Sequence, residues 1–220
     1  MVRLQGIEEN GMDTIRFELK PALLVISSVI LVELAVPLVT QNPILATGLA
    51  RLADIIIILG IFFLFRDSAY IAGMRRNEIM GGLLKGMAWS AIFAVIAGIC
   101  GVILLLLNIN PASLVHSSLP KPYSALIRFL LIAGIVGPVA EELFFRGVCF
   151  AFFRQWGFLP AMAVSTALFV WAHQAKTGIP IPQLTGGIVF AWAYEREKNI
   201  IVPMVIHCIG NLAIFGISYL

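Results

Sequence analysis

Residues 122–153 read PYSALIRFLLIAGIVGPVAEELFFRGVCFAFF. About 20 apolar residues cross roughly 30 Å of hydrocarbon, so the stretch is long enough to span a bilayer as a helix. It nevertheless holds Glu141, Glu142 and Arg146 near its centre. Ionisable groups at that depth cost about 2.5–3.5 kcal/mol each on insertion scales, so they face a cavity or a partner and not lipid. On a helix, residues four apart share a face. Glu142 can therefore reach Arg146, whereas Glu141 points about 100° away from Glu142. One carboxylate is expected to be paired and the other left for chemistry.

The rest of the chain has the same character. Of its 220 residues, 60% are hydrophobic and 12% charged, against about 45–50% and about 25% in soluble domains. With a mean hydropathy of +0.97, the chain has more apolar surface than one core of this length could hide, which excludes disorder and argues for lipid as solvent. Charge, Pro and Gly punctuate it into candidate spans at about 21–39, 45–65, 80–107, 122–153, 158–173, 183–194 and 200–219. The expected fold is an all-α, polytopic bundle of transmembrane helices with seven spans, or eight with a re-entrant or interfacial segment. Residues 1–20 form a leading segment, 21–107 accessory helices, and 122–220 the catalytic core. The sixth span is short. Pro180, Pro182 and the Gly186-Gly187 pair suggest a broken or re-entrant helix there.

The first twenty residues have four acids and no apolar run, unlike a signal peptide. Ile7 to Phe17 could form an amphipathic helix with Ile7, Ile15 and Phe17 toward lipid. Lys and Arg concentrate on one side: Arg3, Arg16, Lys20, Arg66, Arg75, Arg76, Arg146, Arg154, Arg196 and Lys198, against Lys121 and Lys176 on the other. By the positive-inside rule the N-terminus is cytoplasmic. The formal charge of +3 comes from scattered residues, with no basic stripe for nucleic acid. Cys100, Cys149 and Cys208 sit in apolar runs without CxxC spacing and read as small hydrophobes.

Two sets of polar residues lie within the spans. Glu33, Arg51, Asp54 and Lys85 belong to the first three spans and read as structural ion pairs, Asp54 being three residues from Arg51. The second set is denser. It comprises Glu141, Glu142 and Arg146, then Phe169 and His173, then His207 and Asn211. Phe169 lies beside His173 and His207 beside Asn211, each pair four residues apart. Glu141 and His173 are both sixteen residues from Gly157, the expected turn. An antiparallel hairpin brings them out level, roughly 24 Å from it. His207 comes out shallower by roughly 9 Å, a gap that helix tilt or an inset turn must close.

These three segments, Glu-Glu-x-x-x-Arg, Phe-x-x-x-His and His-x-x-x-Asn, resemble the three motifs of the CAAX protease and bacteriocin-processing family of intramembrane endopeptidases. The resemblance covers about residues 122–219 and leaves the first hundred unmatched. It implies peptide-bond hydrolysis, with substrates that include prenylated C-terminal tails and, in bacteria, leader segments of secreted peptides. A membrane-proximal peptide or protein, lipidated or not, is thus the expected partner, beside membrane lipid. The oligomeric state is left open.

Hydrolysis needs an activated water and donors for the oxyanion. Glu141 with His173 is the expected water-activating pair, and His207 with Asn211 the expected oxyanion site. Arg146 pairs with Glu142, and Phe169 walls the His173 pocket. No cofactor is favoured. The alternative is zinc held by Glu141, His173 and His207, although the HExxH helix that usually assembles such ligands is absent. Taken singly, each residue has a plainer reading: a packing histidine, an interfacial acid pair, or an asparagine bonded to a neighbouring helix. Two other functions use the same residues: a proton-coupled transporter, for which internal repeats are lacking, and a non-catalytic membrane scaffold.

Overall fold

The computed structural model describes residues 17–173 and 180–219. Eight helices account for almost all of them, with no strand among the described residues. They are α1 (Leu19–Val39), α2 (Pro43–Leu64), the short α3 (Arg66–Ile71), α4 (Ile79–Leu106), α5 (Tyr123–Trp156), α6 (Phe158–Ala172), α7 (Ile181–Glu197) and α8 (Ile201–Tyr219). Local chemistry sets several ends. The Asn42 side chain accepts from the Ile44 and Leu45 amides at 3.1 Å each, with Pro43 at the first helical position. Gly157 separates α5 from α6 at φ 112°, a backbone region that other residues avoid.

Five helices, α1, α2, α4, α5 and α8, are long and apolar enough to cross a membrane. The protein is an integral, multi-pass membrane protein. The other two of the seven expected spans are shorter, α6 with 15 residues and α7 with 17. At 1.5 Å per residue α6 reaches only about 22 Å. α7 is two-faced: Gly186, Gly187, Phe190, Ala191, Ala193 and Tyr194 are buried, while Ile181, Leu184, Ile188 and Trp192 are exposed. The expected break is absent. α7 runs unbroken through Gly186 and Gly187, with Pro182 in its first turn, where a missing N–H removes no helical bond.

The helices divide unequally between lipid and core. α1 and α4 expose long apolar faces, including Leu31, Leu34, Leu38, Ile96 and Leu106. The core lies instead between α2, α5, α6, α7 and α8, where Ile58, Phe62, Leu143, Val148 and Phe150 are buried. Phe17, expected toward lipid, is buried against Phe62 with ring centroids 6.2 Å apart. The remainder of the amphipathic stretch, like Lys176, lies outside the described residues.

The turns before α6 and α8 differ in burial. Arg154, Gln155 and Trp156, at the first turn, are exposed, whereas Asn199 and Ile200 are buried. Asn199 explains its burial through both ends of its amide: Nδ2 donates to the Glu78 carbonyl at 3.0 Å, and Oδ1 accepts from the Ile201 amide at 2.9 Å. His207 Nε2 lies 3.8 Å from Glu141 Oε2, so the two side chains come out level.

Candidate active site

The front-half charges close on one another. Arg51 reaches Glu33 at 2.8 Å and Asp54 at 2.7 Å. Lys85 pairs with Glu197 of α7 at 2.8 Å, and Trp89 Nε1 donates to the same carboxylate at 3.0 Å. This is the structural reading, with one link that the sequence did not show, the bond from α4 to the back half.

In the back half, α5, α6 and α8 each deliver one motif to a single point. Glu142 and Arg146 are 0% exposed and meet at 3.0 Å, one helical turn apart on α5. Arg146 does more than hold its own helix in register: Nη2 donates to the Gly187 carbonyl of α7 at 3.1 Å. That approach needs a glycine, because a Cβ at position 187 would come within 2.6 Å of Thr166 on α6. The guanidinium also lies over Phe169 at 4.9 Å and Phe190 at 5.2 Å, a favourable placement for a desolvated cation.

The same Glu142 oxygen that accepts from Arg146 also accepts from His207 Nδ1, at 2.8 Å. His207 is stacked on Phe190, with centroids 4.6 Å apart and planes 26° apart. His173 Nδ1 donates to the Phe169 carbonyl at 2.8 Å, and its ring sits 4.4 Å from that of Phe169. Both imidazoles thus engage their partners through Nδ1, which turns each Nε2 toward the site. Those two nitrogens converge on Glu141. Its Oε2 is 3.7 Å from His173 Nε2 and 3.8 Å from His207 Nε2. Such spacings are too long for direct hydrogen bonds and suit a bridging water. Glu141 is 20% exposed and His173 29%, so the point opens outward.

Asn211 does not meet Glu141 in any hydrogen bond among the described residues. Its Nδ2 donates to the Ala133 carbonyl at 2.9 Å, with the second amide hydrogen uncommitted. Glu142 Oε2 and Arg146 Nε are buried with no hydrogen-bond partner among the described residues. Asp54 Oδ1, Arg75 Nε and Thr166 Oγ1 are likewise buried without a partner, so this feature is not confined to the site. Sequence reasoning did not find the Glu142–His207 bond, Phe190 or the Gly187 carbonyl. Only the glycine pair at 186–187 stood out, and it was expected to break the helix.

Among the described residues, no group of three or more His, Cys, Asp and Glu side chains is arranged to hold a metal ion.

Residues 123–213 match the family model described as type II CAAX prenyl endopeptidase Rce1-like. The chain is similar to this family over one domain-sized stretch, which holds all three motifs. The domain is 33% identical over 90 residues to the membrane-embedded CAAX protease MroQ of Staphylococcus aureus strain USA300, covering 38% of this chain and 36% of that one. It is 31% identical over 83 residues to the putative membrane peptidase YdiL of Bacillus subtilis strain 168, covering 37% and 34%. It is also 30% identical over 81 residues to the UPF0177 protein YxdF of Lactococcus lactis subsp. lactis strain IL1403, covering 37% and 45%. The match thus spans less than half the length of each of these relatives. No solved structure matches the chain.

Proposed function

We propose that the protein is an intramembrane endopeptidase that hydrolyses a peptide bond with water held between Glu141, His173 and His207. The observation that carries this reading is the convergence of Glu141 Oε2 with two Nε2 atoms, each turned toward it by a hydrogen bond on its own Nδ1. Glu141 takes a proton from the water as its oxygen attacks the carbonyl carbon. The C–N bond then breaks, and Glu141 returns the proton to the leaving amine. His173 orients the water through its lone pair. His207 enters the reaction as the imidazolium, its Nδ1–H on the buried Glu142 carboxylate, and its Nε2–H donates to the oxyanion without being transferred; the second Nδ2 hydrogen of Asn211 donates there too. Arg146, Phe169 and Phe190 hold these groups without touching the substrate.

The test is cleavage of a quenched-fluorescent peptide library, including prenylated tails, by the detergent-purified chain. Glu141→Gln keeps the volume and removes the base, so turnover falls at least about 10²-fold with folding unchanged. Turnover at the wild-type rate in Glu141→Gln would sink the assignment. Cleavage by neither protein, both being folded, would favour a scaffold or a transporter. The reaction is proposed to proceed without metal: activity that survives a chelator, with no stoichiometric zinc, supports this, and loss restored by zinc overturns it.

The substrate is proposed to be an extended peptide segment at the membrane, because a folded domain does not enter a helix bundle. The family description and the printed names of the relatives support this class. Comparing prenylated with unprenylated tails decides whether a lipid is needed. The N-terminus is proposed to be cytoplasmic, on the Lys and Arg distribution, and reporter fusions at the Gly157 and Lys198 turns read that orientation directly.

A further inference from the structure

α5 is not a uniform α-helix where it passes the site. It is π-helical over Ile132–Val136 and again over Phe145–Phe150, and the α-helical stretch between them, Gly137–Phe144, carries both glutamates. The first widening has a cause in the sequence. Pro138 has no N–H, and in a regular α-helix its ring would press on the carbonyl four residues back. Just before it the helix widens, and the Gly137 N–H reaches back five residues to the Ile132 carbonyl.

This arrangement orphans one acceptor. The Ala133 carbonyl would ordinarily take the amide of Gly137, which is committed to Ile132, or in a π-turn that of residue 138, which is a proline. A carbonyl left without a donor inside a membrane protein is strongly unfavourable. Asn211 covers it, with Nδ2 at 2.9 Å from the Ala133 oxygen. One turn earlier on α8, Cys208 Sγ approaches the Ile135 carbonyl of the same widened stretch at 3.8 Å.

We propose that Asn211 is a positioning residue: it supplies the hydrogen bond that Pro138 removes and so fixes the widened turn that aims Glu141 and Glu142. One extra residue in a helical turn rotates everything after it by about 100° relative to a straight helix. The turn at Ile132–Val136 thus decides which way both carboxylates face. α8 grips α5 on either side of Glu141, through Asn211 on Ala133 and through His207 on Glu142. The four-residue spacing of His207 and Asn211 is then the spacing of the two grips. The proposal deepens the peptidase reading, on which it rests for its catalytic consequence, but the hydrogen bond is measurable without turnover.

The experiment compares Asn211→Ala, Pro138→Ala and the double variant as full-length protein in detergent. Two quantities are recorded, the thermal midpoint and the imidazole nitrogen NMR signals of His207. Asn211→Ala lowers the midpoint by roughly 2–4 °C or more and shifts the His207 signals, since the second grip loosens with the first. Pro138→Ala returns an N–H that can reach the Ala133 carbonyl, so the double variant recovers both quantities relative to Asn211→Ala. Equal losses from Asn211→Ala with and without Pro138→Ala would overturn the proposal, as would unmoved His207 signals. If Asn211→Ala does not accumulate, Asn211→Ser takes its place with the same expected recovery. Cleavage by the wild type is followed in parallel. Its absence would remove the peptidase reading, while recovery in the double variant would still establish the grip.

Discussion

Two clusters of charge lie at membrane depth, one in each half of the chain, and they are built on different terms. In the front half, Arg51 closes on Glu33 and Asp54 at 2.8 and 2.7 Å. In the back half, Glu142 and Arg146 close in the same way at 3.0 Å, but the neighbouring Glu141 stands 3.7 and 3.8 Å from two imidazoles. Both halves solve the problem of a charge in hydrocarbon by pairing it. What separates them is the carboxylate held off from its neighbours. In the front half each charge is closed on its partner, whereas Glu141 is kept off both imidazoles while remaining 20% exposed.

The comparison can be broken most forcefully at Arg146. Arg146→Met leaves Glu142 fully buried with only His207 beside it, and destabilises by about 3–5 kcal/mol, read as a drop in thermal midpoint or a failure to accumulate folded protein. A loss below about 1 kcal/mol would mean that the back pair is no more essential than a surface one. Arg51→Met deprives a largely buried Asp54 of its partner and costs about 1–3 kcal/mol. Cleavage per folded molecule is expected to stay near wild type, and its loss would bring the front cluster into the catalytic machinery.

Packing offers a second pair of tests. Gly187→Ala places a Cβ 2.6 Å from Thr166 and costs about 1–3 kcal/mol through overpacking, with a matching fall in activity as the Arg146 contact shifts. Gly60→Ala, on α2, meets nothing within 4 Å. It is expected to leave the midpoint unchanged or raise it slightly, since alanine favours a helix by roughly 0.5–1 kcal/mol over glycine. The smallest effect belongs to Glu33→Gln, where a half-exposed partner is removed: about 1 kcal/mol or less. A larger fall in midpoint would place Glu33 in a tighter environment than its exposure indicates.

Much of this was legible in the residues. The pairing of Glu142 with Arg146 follows from four-residue spacing, and the level meeting of Glu141 and His173 from equal distances to Gly157. Both are consequences of helix geometry, which is local. The meeting of His207 with Glu141 at 3.8 Å was not fixed by residue counts to a turn, because it depends on how α8 packs against α5. Gly186-Gly187 was read as a break because glycine weakens an isolated helix. Here the packed neighbours supply more than the propensity removes, and the glycines serve close approach instead.

By itself, the sequence determined that the chain is a helical membrane protein and that its ionisable residues form two sets, because hydropathy and helical periodicity are properties of neighbouring residues. Only the tertiary structure decided that Glu142 serves two partners, that Asn211 bonds a carbonyl of another helix, and that Glu141 is held off from both imidazoles. Each of these depends on the distance between helices far apart in the chain, which is set by how side chains pack and not by any spacing along it.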